Sequence, residues 1–270
     1  MNGRGTPPGG GLLGETVGWS VGTVLAALAA VRRGKAVHPH GVVYGARLTI
    51  TGAASAPRAA GLLSTAGEHR AIARFSRSVG LPRPLPDLLG LSLRVMDAYG
   101  DGCHQDFLLV TSADLPVVHH IFLPALDVQQ RPYTSSLPYR AGPDLFLVGA
   151  LPRPDSPRPG GDHEFDRLQA AAATGRLEFD LAVAPVTGRF RPVGTLRIGR
   201  RLDPELDALR FNPWNTGGGL EPAGWLNGAR DRAYKLSQGA WRRTRHGGAA
   251  LQDAADREAE RLELSASSPR

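Results

Sequence analysis

Arg230-Asp-Arg-Ala-Tyr234 sets a guanidinium four residues ahead of a phenol, and side chains at that spacing meet on one helix face. An unperturbed phenol titrates near 10, so it is a poor anionic ligand at neutral pH, with a pKa of about 10. A guanidinium one turn away favours the phenolate, and a phenolate suits a hard, oxidised metal such as iron. The same spacing also describes a surface stack of no consequence. Other candidate groups lie far upstream. His38 stands in Lys35-Ala-Val-His38-Pro-His-Gly41, and Arg74-Phe75-Ser76 follows. Alone, these read as a loop histidine, a surface charge and a small filler of a pleated strand. His119-His120 are adjacent and would point to opposite faces of a strand, so no joint role is assigned to them.

The elements that must hold these residues are mostly strands. Residues 41–52, 72–80, 89–96 and 106–112 are short apolar runs bounded by turn residues, the punctuation of an all-β region. Residues 115–126 fit a strand or a helix. Residues 143–152 read as a further strand, 152–163 as a Pro/Gly-rich loop, and 177–202 as two strands around a turn at Thr187-Gly188. The pattern becomes helical from Glu221 to about Arg245, with a second helical piece over 250–264. Residues 16–33 read as a packed amphipathic helix, with Trp19, Val24, Leu25, Leu28 and Val31 mostly on one face. The expected class is α+β, an antiparallel β-barrel core with N- and C-terminal helices. Residues 1–14 are expected to be disordered, 15–246 to form one domain, and 247–270 to be a helical or flexible tail.

Composition narrows the chemistry. The 270-residue chain carries a net charge of +7, yet only Lys35 and Lys235 are lysines. Arginine, glycine, proline and alanine dominate, the mark of GC-rich coding and of a bacterial source. No arginine track interleaved with aromatics stands out, so nucleic acid is not an expected partner. Basic groups equally suit the carboxylates of a small molecule or cofactor. A single cysteine, Cys103, excludes an intramolecular disulfide and any multi-cysteine metal site, and fits a cytoplasmic location. The apolar run at 16–33 is short for a membrane span, and its positive residues follow it, contrary to a signal peptide. Stable membrane insertion is not expected. The glycine-rich Asn215–Pro222 lacks the lysine and hydroxyl of a phosphate loop.

Five stretches taken in order resemble the haem catalases: Lys35-Ala-Val-His38-Pro-His-Gly41, Arg74-Phe75-Ser76, the Phe-Asp stretch at 179–198, Phe211-Asn-Pro213 and Arg230-x-x-x-Tyr234. The likeness spans about residues 35 to 245 of a chain much shorter than a typical catalase, so it looks like a core-only relative. The resemblance implies a haem b cofactor with Tyr234 as its axial, metal-binding ligand and Arg230 as the counter-charge that keeps the phenol ionised. It implies that His38 is the distal base, that Ser76 hydrogen-bonds the His38 imidazole, and that Arg74 and Lys35 bind haem propionates. Val37 and Trp241 fall among the cofactor-binding positions. Heterolytic cleavage of a peroxide would use His38 as general base and then acid.

The departures shift the expected activity. Ala113 stands nearest the family's peroxide-binding asparagine, with Thr111 or Ser112 as replacement donors and Thr111 taken as the catalytic one. Val117 and Val118 replace phenylalanines, and Trp241 replaces an arginine. Loss of a preorganised donor costs powers of ten in rate. The expectation is a peroxidase or organic-hydroperoxide-converting enzyme acting on a peroxide and a small organic substrate, more than an efficient catalase. A homodimer is compatible with the chain. The alternatives are a haem sensor or store with little turnover, or the same fold around another acidic small molecule.

Overall fold

The computed structural model describes residues 40–223, apart from 117, 120, 136 and 137, together with Ala254 and Arg257. Runs rich in Val, Ile, Leu and aromatic residues form the strands β1 (His40–Ile50), β2 (Gly67–Arg77), β3 (Leu89–Val95), β4 (Gln105–Thr111), β5 (Tyr133–Thr134), β6 (Tyr139–Ala141), β7 (Asp144–Pro152), β8 (Glu178–Pro185), β9 (Arg191–Arg201) and β10 (Glu221–Pro222). Two helices are described, α1 (Gly61–Ser64) and α2 (Glu164–Ala173), with a 3-10 turn at Pro204–Ala208. Neighbouring strands run β7-β5-β4-β3-β2-β1-β9-β8, and β8 pairs back onto β7. That closes an antiparallel barrel of 8 strands. β6 shares an edge of β7 with β5, and β10 adds to β6.

Strand alternation divides the wall into two faces. The row Val42–Phe75–Leu91–Leu109 points inward. Phe75 sits at the centre, with ring centroids 6.3 Å from Tyr44, 6.3 Å from Tyr133 and 5.9 Å from Phe179. The two tyrosines meet Phe75 edge-on, a packing that favours the rings beyond their area alone. The interior is therefore packed with side chains. The opposite face of β1 to β4 is covered as well. Val43, Ile72, Met96, Leu202, Leu206, Leu209 and Phe211 make a second buried cluster on the outside of the barrel. It forms because the chain after β9 turns back across the wall. Asp203 caps the 3-10 turn by accepting the Glu205 N–H at 2.9 Å, with Pro204 pre-set for the first turn.

A buried ion pair fastens this covering segment. Arg94 meets Asp106 through two 2.7 Å hydrogen bonds and also donates to the Arg210 carbonyl at 3.0 Å. Asp106 accepts the Asn212 N–H at 2.8 Å. Each charge is thus hydrogen-bonded at several points, the condition for burying an ion pair without large loss. The glycine-rich run then finds its reason. The ring of Tyr99 lies against Gly217 and Gly218, where an added Cβ would come within 2.8 Å of it or closer. Gly218 also has φ +55, which favours glycine.

The strands expected at 41–52, 89–96, 106–112, 143–152 and 177–202 are present, with β2 starting five residues ahead of the expected 72. The described residues of 115–126 form neither a continuous strand nor a helix, the elements expected of them. They make turns, anchored by bridges from Ser112 to Phe122 and from Asp87 to Ala125. Glu221, where a helix was expected to begin, instead opens the short β10. Helix α2 was not anticipated. Leu168, Ala171 and Ala172 are its buried face, at helical spacing, with Glu164 and Asp166 in the first turn, where acids complement the dipole. The expectations for residues 1–14 and for the helix at 16–33 lie outside the described residues. Within the second helical piece, Ala254 and Arg257 are helical.

Candidate functional site

Of the residues singled out for chemistry, Arg74, Ser76 and Thr111 are described. Lys35, Val37, His38, Arg230, Tyr234 and Trp241 lie outside the described residues. Arg74 and Ser76 alternate with Phe75 on β2 and so share the outer face. Ser76, 1% exposed, pairs with Gly41 on one side and Gly90 on the other, and Gly90 pairs with Val110. Arg74 pairs with Val43 and Ser92. Gly41, the last residue of that motif, thus lies opposite Ser76 in the wall.

Arg74 reaches diagonally over Gly41. A Cβ at Gly41 would lie 2.5 Å from Arg74 Cζ, closer than any side chain could tolerate, so glycine makes room for the guanidinium. Arg74 Nε donates to the Asp207 carbonyl at 3.0 Å. The Asp207 carboxylate accepts the Val43 N–H at 3.0 Å and a 2.8 Å bond from Arg201 Nη1. Burial pulls the Arg74 guanidinium below its usual range, and the nearby Asp207 charge offsets this only in part. A carboxylate ligand gains most from such a cation, because the interaction is not diluted by bulk water. Asp207 is the site residue that sequence reasoning missed. Its only signal was the capped Asp203-Pro204 turn that carries it.

Thr111 is not brought together with Arg74 and Ser76. It belongs to the inward row, opposite Tyr133, and its Oγ1 accepts the Leu89 N–H at 3.1 Å. A one-residue difference in register sends a side chain to the other face, and Thr111 is one residue past Val110, which is in the Ser76 row. By alternation Ser112 is on the outer face. It is fully buried, and its hydroxyl has a long 3.5 Å contact to the Ala113 carbonyl. Parity counting along β4 could have separated the two hydroxyls.

His119 has a structural position. It is fully buried, its Nε2 lies 2.9 Å from the Gly188 carbonyl, and its ring packs edge-on against Phe190 with centroids 4.7 Å apart. Its carbonyl accepts the Thr134 hydroxyl at 2.9 Å. Among the described residues, no cluster of His, Cys, Asp or Glu could hold a metal ion. Also among them, no helix is long and apolar enough to cross a membrane.

A barrel whose outer wall carries the polar groups can be compared with known proteins. No protein-family model and no curated protein matches the chain. Solved structures do match. A bacterial catalase superposes with a TM-score of 0.54 at 15% sequence identity, over 83% of this chain and 60% of that one. A fungal catalase superposes with a TM-score of 0.55 at 13% identity, over 74% of this chain and 58% of that one. The fold is catalase-like. The chain spans about three fifths of the length of the catalases it matches. In this catalase-like barrel, Arg74, Ser76 and Gly41 occupy one corner of the outer wall, under the edge of the segment that returns from β9.

Proposed function

We propose that this chain is a haem-b protein acting on peroxides, in which Tyr234 would hold the iron and Arg230 would be the counter-charge of its phenolate. The observation that carries the reading is the Gly41–Arg74–Ser76 corner, set on the outer wall of a catalase-like barrel. The described residues fit the group. A half-buried guanidinium held flat by Gly41 and the Asp207 carbonyl suits a propionate, and a buried serine stands opposite the strand entry that follows His38. A bound haem would supply the iron and the redox equivalents. The chain's own residues do the rest. His38 holds a proton in transit at the peroxide oxygens, taking it from one and giving it to the other. Ser76 would fix the imidazole tautomer that this requires, while Arg74 and Lys35 would bind the propionates and Val37 and Trp241 would be further cofactor-binding positions.

Ala113 and the inward turn of Thr111 leave Ser112 as the outer-face hydroxyl nearest the family's asparagine. With that weaker clamp, oxidation of small organic reductants or conversion of organic hydroperoxides is favoured over rapid disproportionation of hydrogen peroxide. The visible spectrum of haem-supplemented protein tests the cofactor. A tyrosinate-type ferric spectrum that is lost in Tyr234→Phe is expected, and no Soret band at all would sink the reading. For the chemistry, oxygen evolution and phenol oxidation are compared in wild type and His38→Ala. Both should collapse in the variant with haem still bound; unchanged turnover would overturn His38 as the distal base, and a haem-bound wild type without turnover would be a haem store.

A further inference from the structure

Exposed leucines scattered singly are ordinary on a protein surface. Leu81, Leu85 and Leu126, which are 41%, 52% and 52% exposed, are instead gathered together. The Leu81 and Leu85 carbonyls accept from the same nitrogen, Arg77 Nη2, at 3.1 and 3.0 Å. The antiparallel bridge between Asp87 and Ala125 sets Pro86 opposite Leu126. Pro82, Pro84 and Pro124 are exposed beside them. We propose that this patch rests on an anionic lipid bilayer and holds the barrel at the membrane surface without crossing it. The patch is also stiff. Arg77 and Asp87, both buried, hold the β2–β3 loop from beneath, and Arg77 Nη1 is tied to Glu164 of α2 at 3.0 Å.

The backbone and the charge both select lipid as the partner. The apolar part of a bilayer offers nothing to N–H and C=O groups, so a surface that enters it must answer its own. Val79, Gly80 and Leu81 donate to the Asp87 carboxylate, Leu85 donates to the Pro82 carbonyl and Asp87 to the Ala125 carbonyl. Pro82, Pro84 and Pro86 have no N–H, so of the amides from 79 to 87 only that of Arg83 is left for a headgroup. Leu126 donates to Gln130 Oε1 at 2.6 Å, and its carbonyl accepts from Arg167 Nη2 at 2.6 Å. A protein partner could pair such groups itself, so their internal pairing favours a medium that cannot. The nearby carboxylates are held back. Asp87 and Glu164 are buried against Arg77, and Asp127 pairs with Arg167. Arg83 keeps 40% of its side chain exposed. Arg131, which donates to the Pro124 carbonyl at 2.9 Å, has no carboxylate partner among the described residues. The charge turned outward beside the leucines is therefore positive, as anionic headgroups require.

The test uses the full chain, with and without haem, so that its result is independent of the haem reading. Co-sedimentation measures partition onto phosphatidylcholine vesicles with and without phosphatidylglycerol, at about 0.1 M salt. Binding should be saturable and stronger on the phosphatidylglycerol vesicles. Leu85→Ser should weaken it by about fivefold, and Leu85→Ser with Leu126→Ser by about twentyfold, while urea midpoints stay near that of wild type. Arg131→Gln should weaken it by about fivefold, and only on the anionic vesicles. Leu145→Ser, at the far end of β7 and 42% exposed in the parent chain, should change nothing. A polarity-sensitive dye on Leu85→Cys, in a Cys103→Ser background, should shift to the blue on these vesicles. The same dye on native Cys103, exposed between β3 and β4, should not. Equal binding by the leucine variants, equal loss in Leu145→Ser, or a dye at position 85 that stays in water would overturn the proposal. So would a wild type that ignores vesicles, including one whose leucines instead join two copies in sedimentation velocity.

Discussion

Phe75 and its neighbours Arg74 and Ser76 are consecutive in sequence but belong to two different environments. Phe75 is at the centre of a ring of aromatic side chains inside the barrel. Arg74 and Ser76 lie on its outer wall, among carbonyls, carboxylates and a returning segment of chain. Among the described residues the inside is filled by packed side chains, most of them apolar. The outside is also buried, but its burial includes polar groups that must be satisfied one by one. Barrels commonly place their ligands within. Here the candidate chemistry is outside, and the interior serves as a rigid post that fixes the spacing of β1, β2 and β3.

The largest expected effect separates the two faces at adjacent residues. Phe75→Ala removes the central ring and should destabilise the fold by about 3–5 kcal/mol, read as a shift of the urea midpoint. Arg74→Ala should cost less in the same assay, about 1–2 kcal/mol, since it removes polar interactions and opens no apolar core. Its effect should appear in haem retention, which should fall by about tenfold if the guanidinium holds a propionate. Equal loss of stability in the two variants would break the comparison.

Alkali should find the inside before the outside. Burial pushes the Tyr44 phenol up to about 12, and raises those of Tyr99 and Tyr133 as well. A raised folded value means that the neutral phenol is preferred in the folded state. Its contribution is complete below the unfolded value of about 10 and is lost as pH rises from there toward about 12. For Tyr44 the full loss is on the order of 2–3 kcal/mol. Urea midpoints measured between pH 8 and about 12 should therefore fall steeply above pH 10. Tyr44→Phe should show a shallower fall, and an unchanged slope would mean that this phenol is reached by water.

How much of this could be read in the sequence depends on which face is considered. The inward rows were legible as apolar alternation, because Val, Leu and aromatic residues at every second position leave little choice of register. β1, β3, β4, β7, β8 and β9 follow from that rule. Residues 115–126 have similar apolar content but are interrupted by prolines and anchored by single bridges, which no periodicity announces. Helix α2 is built largely on alanine, whose apolar face is too weak a signal to stand out beside Pro/Gly loops. At the candidate site, the Arg-Phe-Ser triplet falls on β2, where Arg74 and Ser76 share a face. Thr111 and Ser112 both offer replacement donors in the sequence, and the sequence reading takes Thr111 as the catalytic one. One residue of register places it inside, and alternation gives the outer position to Ser112. Asp207 had no signal of its own, since its role depends on the chain folding back over 160 residues to meet Val43.

That register can be tested with a pair of smaller changes. Thr111→Val leaves the Leu89 N–H without its acceptor, so stability should fall by about 1–3 kcal/mol. Peroxide turnover per bound haem should be unaltered, because the side chain faces the interior. Ser112→Ala should cost less than about 1 kcal/mol and should lower turnover. Steady-state assays normalised to haem content, beside urea titrations, read both quantities. If Thr111→Val slowed turnover at full haem content, the division between faces would be drawn in the wrong place.

The smallest stability effect is expected at Gly41, where it carries the most information about the corner. A methyl group there would lie 2.5 Å from Arg74 Cζ and 2.6 Å from Nη2. The atoms in the way belong to the far end of a flexible side chain, so the guanidinium can swing aside and the backbone need not move. Gly41→Ala should therefore change stability by only about 0.5 kcal/mol. Displacing the guanidinium from the Asp207 carbonyl should nevertheless lower haem retention as Arg74→Ala does. The two substitutions act through one group, so their effects should not add. In an Arg74→Ala background, Gly41→Ala should cost no further haem. Additive losses would instead show that Gly41 is needed for the approach of the cofactor itself, and that Arg74 acts elsewhere.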